Sequence, residues 1–419
     1  MRDPVYRRRP VEPNPATFDS AQRINDFIVQ CEAFSNCYLL ETAEGNIQVN
    51  AGMGIEAPVI RHNFERFSDR ALRYLILTQG HVDHVGGVAY FRRHNPEVEV
   101  IAQAGNPAHQ AYDARLATFR ASRSAFAFTH KFAAAFEHYA SHGYTEFPEQ
   151  DVPRPDTLVA DRQCINLGGL ELEIIAVPGA ETNDSLIVWL PRQRICLTGN
   201  LFGCTFGHFP NLVTIRGDRY RDALTVAAAV QTVLDLEPQT LLYGHHGPVE
   251  GAELIREELS VLRDAIHYVH DATVRGMNEG ADLPTLMASI ALPPELEVGE
   301  GYGKVSWSVR AIWENYAGWF KHRSTTELYA EPPGVVAADL VELAGGPDAI
   351  IARAEEKLAQ GDAVAALHLL DVVFAGHGQG SEARGVATRA HEALLQESDN
   401  FWLSSWLRKQ IALLQTAPG

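Results

Sequence analysis

Hydrophobic positions along this chain change character near residue 260. Before it they form short, nearly continuous apolar runs broken by turn residues, and after it they recur at helical spacing. Runs at 24–29, 37–41 and 47–50, with Ala43-Glu44-Gly45-Asn46 as a turn, predict a meander of strands. A helix over 58–70 then leads to an apolar run at 74–77, which breaks at Gln79-Gly80 and passes into a helix over 88–94. A strand at 98–102 and a long helical stretch over 106–142 follow. Beyond a linker at 153–156, strands at 158–159 and 170–177 resume, the latter entered through a Gly168-Gly169 hairpin turn. Strands at 186–190 and 194–197, an amphipathic helix over 219–236 and a buried strand at 240–243 repeat the sheet-then-helix plan, which predicts an α/β fold of αββα sandwich type.

The later part reads as all-α. Helices are expected over 253–275, 282–290 and 307–320, then over 340–344, 349–360 and 364–374, the last two paired about Gly361-Asp362 like a tetratricopeptide unit. Trp307, Trp313 and Trp319 recur at six-residue intervals, which spreads them around a helix and suits cover on several sides. The expected organisation is an arm over 1–20, an α/β domain over 21–260 and a helical domain over 261–419.

Candidate chemistry gathers where the run at 74–77 ends, with His81, Asp83 and His84 in one turn. Imidazole nitrogen and carboxylate oxygen are the donors that zinc or another divalent ion takes in a hydrolytic site. The same residues also cap turns, and the spacing alone leaves both readings open. No two of His109, His130, His138 and His142 sit at a ligand spacing backed by a carboxylate motif, and they are expected at the surface or on a pocket wall. Phe126, Phe128, Phe132, Phe136, Tyr139 and Tyr144 suit either a wall for an apolar substrate or ordinary helix packing.

Composition narrows the classes. A hydrophobic content of 46% in 419 residues is enough for a large core and a second domain. A formal charge of −18 argues against nucleic acid or an anionic membrane as the main partner. Cys31, Cys37, Cys164, Cys196 and Cys204 are odd in number and lack a repeating spacing, so reduced, mostly buried thiols are expected, with Cys204 near the site. Arg2, Arg7, Arg8 and Arg9 are followed by prolines where a signal peptide needs an apolar core, and no run reaches the roughly 18 apolar residues of a membrane span. A cytoplasmic protein is expected.

The stretch Thr78-Gln79-Gly80-His81-Val82-Asp83-His84-Val85-Gly86-Gly87 resembles the Thr-His-x-His-x-Asp-His-x-Gly-Gly signature of the metallo-β-lactamase superfamily, with Gln79 in place of the first histidine. Pro178-Gly179-Ala180-Glu181-Thr182, Thr198-Gly199-Asn200-Leu201-Phe202 and Gly244-His245-His246-Gly247-Pro248 match further segments in order. The glutamate after Pro-Gly is similar to the alkylsulfatase branch. Gly303-Lys304-Val305-Ser306, Tyr316-Ala317-Gly318-Trp319-Phe320 and Leu343-Ala344-Gly345-Gly346 resemble the alkylsulfatase dimerisation domain, which implies a homodimer.

This resemblance implies a first metal among Gln79, His81 and Glu181 and a second among Asp83, His84 and His245, with Asn200 where a bridging carboxylate is expected. His246 remains an alternative to His245. The implied cofactor is Zn2+, one or two ions, or another divalent metal. An amide at Gln79 and the missing charge at Asn200 weaken double occupancy through uncompensated repulsion, so the strongest site is expected at Asp83, His84 and His245. Asn211-Leu212-Val213-Thr214-Ile215-Arg216-Gly217 resembles the segment that holds sulfate in alkylsulfatases. Arg216 is therefore the expected anion anchor, a planar guanidinium suiting a tetrahedral oxyanion, with an ion pair to Asp218 as the structural alternative. Trp307 stands where alkylsulfatases place a histidine acting on the leaving oxygen, and His208 and Tyr302 are the candidate substitutes.

The expected function is a metal-dependent hydrolase, with Asp83 and Arg216 as catalytic residues, that uses a metal-bound hydroxide on an ester, lactone, amide or sulfate-type bond of a small, anionic substrate. Two other readings share the scaffold: a lyase or other non-redox reaction on a specialised metabolite, and a catalytically silent dimeric binding protein.

Overall fold

The structure, a computed structural model, describes residues 3–416, so Arg2 lies outside it. Two compact units divide between Tyr316 and Ala317.

The first unit holds two sheets. Strands β1 (Ala21–Arg23), β2 (Ile28–Cys31), β3 (Cys37–Thr42), β4 (Gly45–Val49), β5 (Leu72–Ile76), β6 (Glu99–Gln103) and β7 (Thr157–Val159) lie side by side in chain order. Pairing is antiparallel through β4 and parallel from β4 to β7. The second sheet contains β8 (Arg162–Leu167), β9 (Leu170–Ala176), β10 (Leu186–Leu190), β11 (Ile195–Gly199), β12 (Thr240–Tyr243) and β13 (Val249–Glu250), with only β11 and β12 parallel. Between the sheets lies one apolar layer, with Ile28, Leu40, Ile47 and Ile76 from the first and Leu172, Ile174, Val188 and Leu197 from the second. Strands buried on both faces need apolar residues at successive positions, which is why β10 reads Leu-Ile-Val-Trp-Leu without alternation.

Helices cover both outer faces. Against the first sheet lie α1 (Ala57–Glu65), the single turn α2 (Val82–Val85) and α3 (Val88–His94), followed by α4 (Asn106–Arg115) and α5 (Ala117–Ser141). Phe132 and Tyr139 of α5 pack into the apolar layer on the outer face of the first sheet, with Phe132 beside Phe34, so these aromatics serve packing. Against the second sheet lie α6 (Ala223–Leu236), α7 (Ala252–Asn278), α8 (Leu283–Ser289) and α9 (Val305–Ala317). The αββα plan is as expected.

Three expectations change. The unit boundary falls well after residue 260, because Ile255, Leu259, Leu262, Ile266 and Val269 place α7 in the core of the first unit. The segment at 1–20 is not a separate arm: Val5 and Ala16 are buried in the cores of the two outer layers. The three tryptophans do not share a helix, since α9 ends at Ala317; Trp313 packs on the first unit's core and Trp319 is 68% exposed.

The second unit contains α10 (Ala337–Leu343), α11 (Pro347–Ala359), α12 (Ala363–Gly376), α13 (Ser381–Gln396) and α14 (Phe401–Thr416). Gly361 takes φ +82 between α11 and α12, and the Asp362 carboxylate caps α12 by accepting from the Ala365 N–H at 3.1 Å. Ile351, Ala354, Ala366, Leu370, Val373 and Val386 form its core. Among the described residues no helix is long and apolar enough to cross a membrane.

Candidate metal centre

The predicted site residues converge where β4, β5, β11 and β12 end. The turn after β5 is tied to its neighbours: the Thr78 N–H and hydroxyl both donate to Asn50 Oδ1, at 3.0 and 2.9 Å, and the Thr78 carbonyl accepts from the Leu186 N–H. Asn50 therefore holds the first sheet's motif, and β10 links it to the second sheet. Gly244 lets the last strand approach closely, since a Cβ there would strike Asn200 Oδ1.

His84 is the best-defined donor. Its Nδ1 lies 3.2 Å from both the Ser35 and the Thr78 hydroxyls. Each hydroxyl has one proton, and these go to the Gly244 carbonyl and to Asn50 Oδ1. Both oxygens can then only accept from His84, which fixes the proton on Nδ1 and leaves a bare lone pair on Nε2. That Nε2 is buried without a hydrogen-bond partner, 3.7 Å from Asp83 Oδ2. Burial pushes the His84 imidazole down to about 3, so it stays neutral, the form that ligates a metal.

His245 is also held neutral, pushed down to about 3 by burial against the pull of Asp83. Its Nε2 faces the Asn200 amide nitrogen at 3.0 Å, and its Nδ1 is buried without a hydrogen-bond partner. The turn that carries it is fastened through its carbonyls. Asn36 Nδ2 donates to Tyr243 and His246, Gln30 Nε2 donates to His246, and Arg9 donates to His245, Gly247 and Pro248. His246 takes φ +65, so this turn is strained and needs those ties. The Asp83 carboxyl is pushed up by burial, and His245 and Arg216 pull it back down.

The other half of the predicted site is built differently. The Gln79 amide nitrogen meets His81 Nδ1 at 2.8 Å, and His81 Nε2 is buried without a hydrogen-bond partner. Glu181 forms a buried ion pair with Arg221, Nη2 to Oε1 at 3.0 Å, and the same guanidinium donates from Nε to the Glu181 carbonyl at 2.6 Å and from Nη1 to the Asn211 carbonyl. Removing one member of such a pair costs about 3–5 kcal/mol. Burial pushes Glu181 up to about 7 against the pull of Arg221 and Arg216. Arg221 escapes the sequence reading because 219–236 looks like one helix. In the structure Asp222 is the N-cap, accepting from the Thr225 N–H at 2.8 Å, and Arg221 stays in the preceding loop.

Arg216 lies within electrostatic reach of His81, Asp83 and Glu181. Its backbone is gripped from α5, where Arg123 donates to the Ile215 and Arg216 carbonyls at 2.7 and 2.6 Å. Asp218, the structural alternative, pairs with Arg120 at 2.7 Å. Of the two substitutes for the histidine absent at Trp307, Tyr302 feels the charges of Arg216, Glu181 and Asp83, whereas His208 accepts from the Gly301 N–H and responds to Arg9 and His246. Tyr302 is thus the one beside the site. His109 is a pocket-wall residue, the second of the two expected places: it is buried 5.8 Å from the His81 ring, between Asp113 and Asp184. Together with Glu181, Arg221, Tyr112 and Asn183 it lines a cavity of about 410 Å³. Cys204 is buried near Asp83 and Glu181, as expected, and all five cysteines are free.

Among the described residues no three His, Cys, Asp or Glu side chains already converge as a finished ligand set. By donor chemistry, Asp83, His84 and His245 fit one divalent ion, through the bare Nε2 of His84, a neutral second imidazole and an adjacent carboxylate. Gln79, His81 and Glu181 fit a second ion poorly, because Glu181, their one carboxylate, is already compensated by the buried Arg221 guanidinium.

These features define a protein of the metallo-beta-lactamase superfamily, to which the chain belongs: residues 32–252 match that family, and residues 284–415 match the alkyl sulfatase dimerisation family. Membership implies a divalent metal. The chain is 27% identical over 385 residues to a linear primary-alkylsulfatase of Pseudomonas sp., covering 88% of this chain and 72% of that one. It is 26% identical to the alkyl/aryl-sulfatase BDS1 of Saccharomyces cerevisiae, covering 83% of this chain and 56% of that one. In fold it is similar to the stereoselective inverting sec-alkylsulfatase Pisa1 from Pseudomonas sp., with a TM-score of 0.80 at 20% identity over 95% of this chain and 66% of that one.

Proposed function

We propose that this chain is a metal-dependent hydrolase of small organic sulfate esters, converting R–O–SO3− and water into the alcohol, sulfate and a proton. The observation that carries the reading is the bare Nε2 of His84 beside Asp83, with Arg216 in electrostatic reach of Asp83 and both Arg216 and Arg221 in reach of Glu181, guanidinium groups being suited to a sulfate's oxygens. The named activity of its alkylsulfatase relatives supports it.

Asp83, His84 and His245 would hold the ion, with zinc the natural choice for two imidazoles and a carboxylate. Once bound, a divalent ion activates water and stabilises developing negative charge. The remaining work falls to the chain. Ser35 and Thr78 keep the proton of His84 on Nδ1 and so aim its lone pair inward. Arg216 orients the sulfate, its backbone immobilised by Arg123. Burial holds Tyr302 protonated, so its O–H is a donor beside the reacting group. The exposed apolar side chains of the second unit, including Leu343 at 83% exposure, and the dimerisation-family match support a homodimer. We place the protein in the cytoplasm.

A panel of alkyl sulfates, carboxylic esters and lactones offered to zinc-loaded protein tests the reading. Sulfate release from the alkyl sulfates is expected; turnover confined to esters or lactones would overturn it.

A further inference from the structure

We propose that the Arg221 guanidinium stands in for a first cation among Gln79, His81 and Glu181, so that each chain holds a single divalent ion. The inference rests on the metal-dependent reading above and concerns how many ions that site takes.

Four observations converge. Glu181, the one carboxylate of this half-site, is already neutralised by Arg221 at 3.0 Å. Arg221 is itself fixed, because its Nε and Nη1 donate to the Glu181 and Asn211 carbonyls and it is only 8% exposed; it cannot swing away without stranding a buried charge. His81 Nδ1 is engaged by the Gln79 amide at 2.8 Å, and Arg221 lies close enough for its charge to act on that imidazole. Asn200, against His245 Nε2 at 3.0 Å, brings no negative charge to offset two neighbouring dications. A fixed monovalent cation therefore already occupies the electrostatic role of the first ion. Access is not the obstacle, since Glu181 and Arg221 both line the cavity of about 410 Å³. The guanidinium also brings what a metal does not, planar N–H donors, and like Arg216 it acts electrostatically on His81 and Glu181.

The count of ions per chain decides it. Protein stripped with chelator and reloaded with excess Zn2+ should contain one equivalent by mass spectrometry, and the Mn2+-loaded form should show no spin-coupled pair by electron paramagnetic resonance. Gln79→His alone should leave the count at one, because Arg221 remains. Gln79→His with Arg221→Met frees Glu181 and should raise the count toward two. Two ions in the wild type, two in Gln79→His, or one in the folded double variant would each overturn the proposal. If the double variant does not fold, the first two counts decide. Two ions together with sulfate release would sink this inference and leave the hydrolase reading intact, whereas no bound ion would sink both.

Discussion

Arg9 precedes every strand of the fold, yet the structure makes it a support of the His245 turn, and replacing it should loosen that turn measurably. In Arg9→Met the apolar stem is retained and the fork is lost. The strongest contact, to the Gly247 carbonyl at 2.7 Å, is a charged hydrogen bond worth about 1.5–3 kcal/mol. Those to His245 and Pro248, at 3.3 and 3.4 Å, are weaker. Gly247 and Pro248 are partly exposed and can turn to water, but the His245 carbonyl belongs to a buried residue. Relief of the desolvation that holds the Arg9 pKa below its usual value offsets part of the loss. A net cost of about 2–3 kcal/mol follows. Because supports of this kind typically change metal affinity 10–100-fold, chelator competition should show zinc bound at least about tenfold more weakly. Urea unfolding measures the stability term. Unchanged unfolding together with an unchanged zinc affinity would refute the clamp.

Asp83→Ala should strip the ion to a small fraction of an equivalent, because the carboxylate supplies both charge and a direct bond; metal analysis showing full retention would defeat the ligand assignment. His208 is buried and pushed down to about 4 from its usual 6.5, so its contribution to stability is complete above pH 6.5 and is lost as pH falls toward 4. Between neutrality and pH 5 this amounts to about 2 kcal/mol. His208→Asn keeps an acceptor for the Gly301 N–H but does not titrate, so its denaturation curves should lose about that much less over this range; parallel pH profiles would contradict it. Light scattering should give the mass of two chains for the wild type and of one for Val335→Glu with Leu343→Glu, which charges two of the most exposed apolar positions in the second unit; a monomeric wild type at micromolar concentration removes the dimer.

What the sequence made legible was whatever depends on neighbours along the chain. The run at 74–77 with a polar cluster behind it located β5 and the motif to within a residue or two, and the Gly168-Gly169 pair located the β8–β9 hairpin through its two positive φ angles. The Gln79–His81 contact is likewise local, but only the fold, by pinning Thr78 to Asn50, decides that the two side chains meet. Arg221 was hidden for a different reason. Arg219, Tyr220 and Arg221 have good helix propensity, and nothing short of the cap geometry at Asp222 separates them from α6. Ser35, Asn36 and Arg9 lie hundreds of residues from the turn they support, which no periodicity can report. The compact units divide later than residue 260, although the two family matches lie on either side of it, because α7 begins a helical pattern while still packing on the sandwich: its amphipathic face is equally suited to a helical domain and to a sheet.

The central claim is that sulfate-ester hydrolysis depends on an ion held by Asp83, His84 and His245. Its most direct test is to titrate zinc into stripped protein and to follow sulfate release from a primary alkyl sulfate and bound metal together. Release should rise in proportion to occupancy, level off at one ion per chain and be absent from Asp83→Ala at every zinc concentration that saturates the wild type. Release that is independent of bound metal, or equal in Asp83→Ala, would contradict the account.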